Sequence, residues 1–154
     1  DMDWHWVDVE KRFGEKVKDY PKPKNPIANI TGCFWNPGWT GYSWNTELFP
    51  NHIAFLKTLH EKGLRTNLNV HPAQGLRFFE DMYPDFARHM GIDETSKEPI
   101  RFDFTDKKFV EGYFKYINRP MENEGVDFWW IDWQQGNKSK IDGLDPLWLL
   151  NHYY

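Results

Sequence analysis

The run Val126-Asp127-Phe128-Trp129-Trp130-Ile131-Asp132 closes on Trp133-Gln134-Gln135-Gly136. A short apolar stretch of aromatic and branched residues, ended by amides and a glycine, has the form of a buried strand and its turn. Asp127 opens the run. Asp132 lies where the strand leaves the core, among indole rings. A carboxylate in that position costs free energy unless it is paired or has chemistry to perform. Asp132 is therefore the first candidate for a functional group.

Helical patterns surround this strand. Asn51 is placed to cap a helix in which Ile53, Leu56, Leu59 and His60 recur at helical spacing, with Gly63 as its C′ stop. Leu64 to Val70 alternates as a strand and ends at His71-Pro72. A second helix is predicted over roughly Leu76 to Met90, ending at Gly91, with a break or kink at Pro84. Asp106 is placed to cap a third helix that buries Phe109, Val110, Tyr113, Phe114 and Ile117, and Pro120 disturbs its last turns. Gly125 precedes the strand of Val126 to Ile131. Asp145-Pro146 reads as the N-cap and N1 pair of a fourth helix. Upstream, Asp1 to Val7 reads as the end of a further strand. Residues 10 to 38, with Pro21, Pro23, Pro26 and Pro37, read as a long irregular insertion. Such loops in compact domains are usually functional or mobile.

Strands that alternate with helices imply a parallel sheet with crossover connections. Asp1, Asp3, Asn69, His71 and Asp132 collect at the predicted strand ends, and in a (β/α) barrel the active site lies at the C-terminal ends. The predicted fold class is therefore α/β: part of a (β/α)8 TIM barrel, about three strands with their helices, over residues 1–154. A complete barrel needs about 250 residues. A small doubly wound domain is the rival architecture, but its glycine-rich phosphate loop is missing.

Aromatic residues make up 18% of the chain, including nine Trp. Their faces suit sugar rings, nucleobases and apolar packing alike. The net charge of −4 weighs against a nucleic-acid partner, which favours a basic face. No apolar run approaches the ~20 residues of a membrane span, so no membrane partner is expected. Cys33 is alone, offers no internal disulfide or metal-ligand spacing, and reads as a packed thiol. No cofactor is expected, and one cysteine does not fix the compartment.

Several separated strings resemble glycoside hydrolase family 31, the α-glucosidase and α-xylosidase group. Asp1-Met2-Asp3-Trp4 looks like the family's Asp-x-Asp-aromatic string. Phe49-Pro50-Asn51 and Leu59-His60-Glu61-Lys62-Gly63-Leu64 are similar to its Phe-Pro-Asp…Leu-His-x-x-Gly helix. His71-Pro72 stands where the family usually has Asp-Pro. Asp103-Phe104-Thr105-Asp106 resembles Asp-Phe-Thr-Asn, and Trp130-Ile131-Asp132 resembles the Trp-x-Asp nucleophile motif. The strings keep the family's order.

The resemblance implies retaining hydrolysis of an α-glycoside, with Asp132 attacking the anomeric carbon. A second carboxylic acid, about 5–5.5 Å away, would protonate the leaving oxygen and later activate water. In the family that acid lies on a later strand, whereas Asp142 and Asp145 fit a loop and a helix cap. The chain alone is therefore expected to be inactive and to need the remainder of the barrel as partner, with an oligosaccharide or glycoside as substrate. Asp132 is the catalytic candidate. Asp1, Trp130 and His71 are the substrate-binding candidates, although for His71 the role of a hydrogen-bonded core histidine is the favoured reading. Gln134 and Gln135 replace the acidic neighbour usual in the family, which bears on the sugar rather than the reaction.

Other readings stay open. Trp129 alternates to the opposite face and is assigned to the core, and His60 to packing. Asp103 fits a loop-fixing role or a ligand contact. Trp35, Trp39, Tyr42 and Trp44 fit either an aromatic platform for distal sugars or a pin for the insertion. Two alternative functions are a non-catalytic carbohydrate-binding relative and a metal-dependent hydrolase using Asp1, Asp3, His5 and His71.

Overall fold

The computed structural model describes residues 40–132 and 138–154. The expected strand at Asp1 to Val7, the insertion at 10 to 38 and Cys33 lie outside the described residues.

The first described helix, α1 (His52–Glu61), is capped as expected: the Asn51 side chain accepts from the Ala54 amide at 3.0 Å. Gly63, at φ +75°, ends it through its N–H to the His60 carbonyl. Strand β1 follows (Asn67–Val70), then a single 3₁₀ turn at Pro72–Gln74. β1 is shorter than the predicted Leu64 to Val70, because Leu64 still belongs to the helix ending: its amide donates to the Leu59 carbonyl.

The predicted helix from Leu76 to Met90 is half realised. Only α2 (Tyr83–Met90) is helical. Leu76 instead exchanges both backbone hydrogen bonds with Ile100 in an antiparallel bridge. Gly75 precedes it at φ +65°, where an added Cβ would lie 2.2 Å from the Ile100 carbonyl oxygen. Pro84 does not break α2 but starts it. It sits in the first turn, where a missing N–H is harmless and its fixed φ suits the helix.

The third helix begins on its predicted cap, with the Asp106 side chain accepting from the Lys108 amide. It runs as α3 (Lys107–Tyr113), a π-helical turn (Phe114–Asn118), and α4 (Arg119–Glu124). Pro120 explains the sequence of three. Its ring crowds the carbonyl four residues back and it has no N–H to offer. The ladder there widens, and the Arg119 amide reaches Phe114 five residues earlier. The last helix, α5 (Pro146–Tyr153), is capped by Asp145 as predicted.

Strand β2 (Phe128–Ile131) pairs parallel with β1, placing Asn67 opposite Phe128, Leu68 opposite Trp129, Asn69 opposite Trp130 and Val70 opposite Ile131. Alternate side chains point to opposite faces. Leu68, Val70, Trp129 and Ile131 pack into the apolar cores under the helices. Asn67, Asn69, Phe128 and Trp130 lie on the other face. Phe128 and Trp130 are 51% and 53% exposed, so β2 is not the wholly buried strand that its composition suggests.

The larger core joins Val70, Phe86, Phe104, Phe109, Tyr113 and Leu150, and the smaller joins Leu56, Leu68, Met121 and Val126. Polar links tie the helices to one another. The Tyr42 and Tyr154 hydroxyls both reach the Tyr113 hydroxyl, at 3.2 and 3.0 Å, and Asn118 donates to Tyr154. Burial holds the Tyr42 and Tyr113 hydroxyls well above the usual phenol range, so both stay protonated. Among the described residues, no helix is long and apolar enough to cross a membrane.

Candidate active site at the strand ends

Asp132 stands one residue beyond β2. Its amide donates to the Val70 carbonyl at 3.0 Å, extending the ladder past the last paired residue. Strand parity puts its side chain on the face of Asn69 and Trp130. There its Oδ2 accepts from Asn69 Nδ2 at 3.2 Å. Asp132 is half-buried rather than sealed.

His71 occupies the equivalent position beyond β1. It is 4% exposed, and its amide donates to the Thr40 carbonyl at 3.0 Å. Trp130 lies two residues before Asp132 on the same face. Trp129 lies on the opposite face, as expected, with its indole N–H donating to Glu122 Oε1 at 3.2 Å. The structure thus brings Asp132, Trp130 and His71 to one end of one sheet. Asp1 lies outside the described residues, as do Asp3 and His5.

The segment from Thr40 to Ser43 braces this end of β1. Gly41, at φ +81°, presses on the strand so closely that a Cβ would sit 2.4 Å from the Asn69 carbonyl oxygen. The buried carboxylate of Glu80 holds the segment: it accepts from the Thr40 hydroxyl and, at 2.5 Å, from the Ser43 hydroxyl. The Asp81 amide donates to the same Ser43 oxygen at 2.9 Å. Glu80 and Gly41 carried no signal in the sequence reading. Asn69 did, as one of the polar residues collected at the predicted strand ends.

Three further residues resolve their open readings. Tyr42 and Trp44 are buried, so they pin this segment and present no exposed platform. Trp44 stacks on the His52 ring at 4.7 Å, and His52 Nε2 lies 3.0 Å from Glu124 Oε2. Trp35 and Trp39 lie outside the described residues. Asp103 fixes its own loop: Oδ1 accepts from the Thr105 amide and hydroxyl, and Oδ2 pairs with Lys140 at 2.5 Å. Burial pushes its carboxyl upward, but Lys140 and Thr105 outweigh that and hold it below the usual range. It lines a cleft of about 500 Å³ between the loop at 99–106 and Lys138–Lys140, a cleft whose lining does not include Asp132.

His60, expected as a packing residue, instead lies 2.8 Å from Asp127 Oδ2. Asp127 is at the opposite, N-terminal end of β2, where it also accepts from the Thr66 amide and from Arg65, each at 2.8 Å. Burial alone would raise its carboxyl, but the Thr66 amide, His60 and Arg65 together lower it to about 2. This is a staple joining α1, β1 and β2 at the end remote from Asp132. Among the described residues, no group of three His, Cys, Asp or Glu side chains is arranged to hold a metal ion.

The described fold is that of an α/β protein with a parallel sheet, covered by helices on one face, and polar residues gathered where the strands end. Residues 2–146 match the glycosyl hydrolases family 31 TIM-barrel domain, and the chain belongs to that family. It is thus part of a glycoside hydrolase domain, and its substrate class is carbohydrate. A search of curated proteins gave no match.

Proposed function

We propose that the chain forms the nucleophile-bearing part of a retaining α-glycosidase, with Asp132 as the nucleophile. The observation that carries this reading is the place of Asp132. It is the carboxylate at the C-terminal end of β2, on the sheet face shared with Trp130, in a chain of family 31. Active sites of TIM-barrel enzymes are built at that end of the strands.

In the first step the Asp132 carboxylate attacks the anomeric carbon as the bond to the aglycone oxygen breaks, and a separate carboxylic acid protonates that oxygen. In the second step the same acid, now a base, takes a proton from water, which displaces Asp132 and releases the sugar. Trp130 and His71 contribute pocket surface, and Asp1 hydrogen-bonds sugar hydroxyls. The acid/base belongs to a later strand of the complete (β/α)8 barrel. Asp145 does not fit that role, because its carboxylate caps α5. The 154-residue chain by itself is therefore inactive, and α-glucosides or related α-glycosides are the substrates of the complete enzyme.

Trapping tests the reading. The complete enzyme is treated with a 5-fluoro glycosyl fluoride, digested, and analysed by mass spectrometry. A glycosyl label on the peptide carrying Asp132 is expected. A label on any other residue, or sugar binding with no covalent adduct, overturns the assignment, and the second outcome favours a non-catalytic carbohydrate-binding protein.

A further inference from the structure

A nucleophilic carboxylate must keep its plane aligned with the bond it forms, and an aspartate side chain has two torsions with which to lose that alignment. Asn69 is placed to prevent this. It lies in the middle of β1, 4% exposed, with its backbone oxygen closed off by Gly41 on one side and its strand paired to β2 on the other. A side chain on a clamped strand is held more precisely than one on a loop. The partner is held too, since the Asp132 amide is tied to Val70, the residue after Asn69.

The orientation of the amide follows from the charge it faces. Amide oxygen and nitrogen are assigned from their surroundings. An ionised carboxylate only accepts, so the NH2 group must point at Asp132 and the oxygen away from it. Asn69 Oδ1 is buried and meets no donor among the described residues. No competing hydrogen bond to that oxygen is therefore described that would turn the amide round.

We propose that Asn69 is the positioning residue for Asp132: its Nδ2 holds Asp132 Oδ2 at 3.2 Å and so orients the carboxylate plane for attack on the anomeric carbon. The inference rests on the nucleophile reading and deepens it. Asn69 does not bond to the reacting carbon; it acts through Asp132. A displacement of about 1 Å in such a group costs on the order of 10²-fold in rate.

The test uses the complete enzyme, unsubstituted and as Asn69→Ala and Asn69→Asp, each checked for folding by thermal melting. Two quantities are read: the rate constant for labelling by the 5-fluoro glycosyl fluoride, and the dissociation constant of a reversible sugar inhibitor. Labelling of Asp132 is expected to persist in both variants, slowed about 10²-fold in Asn69→Ala and further in Asn69→Asp, with inhibitor binding unchanged. The order of the two variants discriminates. Asp has the shape of Asn, so a residue needed only for packing would tolerate Asp better than Ala. Facing Asp132, however, an added carboxylate either repels it or shares its proton, and both weaken the nucleophile.

Labelling as fast as in the parent, or slower in Ala than in Asp, overturns the positioning role while leaving the nucleophile intact. No label at Asp132 in the unsubstituted enzyme overturns the nucleophile reading itself, and the positioning role with it. Should Asn69→Ala fail to fold, Asn69→Asp decides alone, and a parental labelling rate overturns the role.

Discussion

Two aspartates five positions apart, at the two ends of one short strand, differ in their surroundings, and only Asp132 is proposed to do chemistry. Asp127 satisfies its charge with an amide, a histidine and an arginine. Its folded carboxyl, at about 2, lies below the unfolded value of about 3.9. The sign follows from linkage: the contribution to stability is present above the unfolded value and is lost as pH falls through the folded one. Asp127→Asn should cost about 1–2 kcal/mol near neutral pH and flatten the decline in melting temperature between about pH 4 and 2. Circular dichroism melts across that range would show it, and an unchanged slope would rule out the staple. Asp132, by contrast, is half-buried on the sheet face of Asn69 and Trp130 and accepts from Asn69. Asp132→Asn should lower hydrolysis by the complete enzyme on the order of 10⁴-fold or more, while calorimetric titration with a sugar ligand still shows binding.

Between elements, the decisive contacts are close approaches that few residues allow. Gly41→Ala would put a methyl group against the Asn69 carbonyl in a left-handed backbone, so a loss of at least about 1–3 kcal/mol is expected in denaturant titration. Tyr113→Phe, which removes the hydroxyl shared by Tyr42 and Tyr154 without changing packing, should cost about 1–3 kcal/mol by the same measurement.

These elements also show what a sequence can carry. The caps at Asn51, Asp106 and Asp145 were legible because a cap is decided within four residues of chain. The stretch from Leu76 to Met82 was not, because its partner is Ile100 and the pattern around Leu76 holds no trace of it. The position of Asp132 at a strand end could be read directly. Its hydrogen bond to Asn69 needed the register between two strands that lie sixty residues apart in the chain.

For the whole molecule, the two faces of the sheet differ in kind. One is covered by helices. The other presents Phe128 and Trp130 beside Asn67 and Asn69. In a closed barrel that face would point inward, where layers of side chains fill the interior. Large exposed aromatics side by side favour association. The 154-residue chain on its own is therefore expected to self-associate in light scattering, and Phe128→Ser with Trp130→Ser to reduce it. A monodisperse parent chain would contradict this. The exposure of that face was not legible from composition, which reads Phe-Trp-Trp-Ile as uniformly buried whatever lies across from it.

The widened turn at Phe114–Asn118 sets a constraint on length. A regular helix advances about 100° per residue, so the turn acts as a phase adjuster between the stretch before it and the stretch after. Downstream of it, Met121 points into the small core with Leu56, Leu68 and Val126. The turn holds one residue more than a regular helical turn, so removing one residue there would restore a regular pitch and leave Met121 facing the small core. A single deletion in the regular stretch of α3 would instead turn everything downstream by about 100°, and the chain would deliver Val126 and the start of β2 with the wrong azimuth.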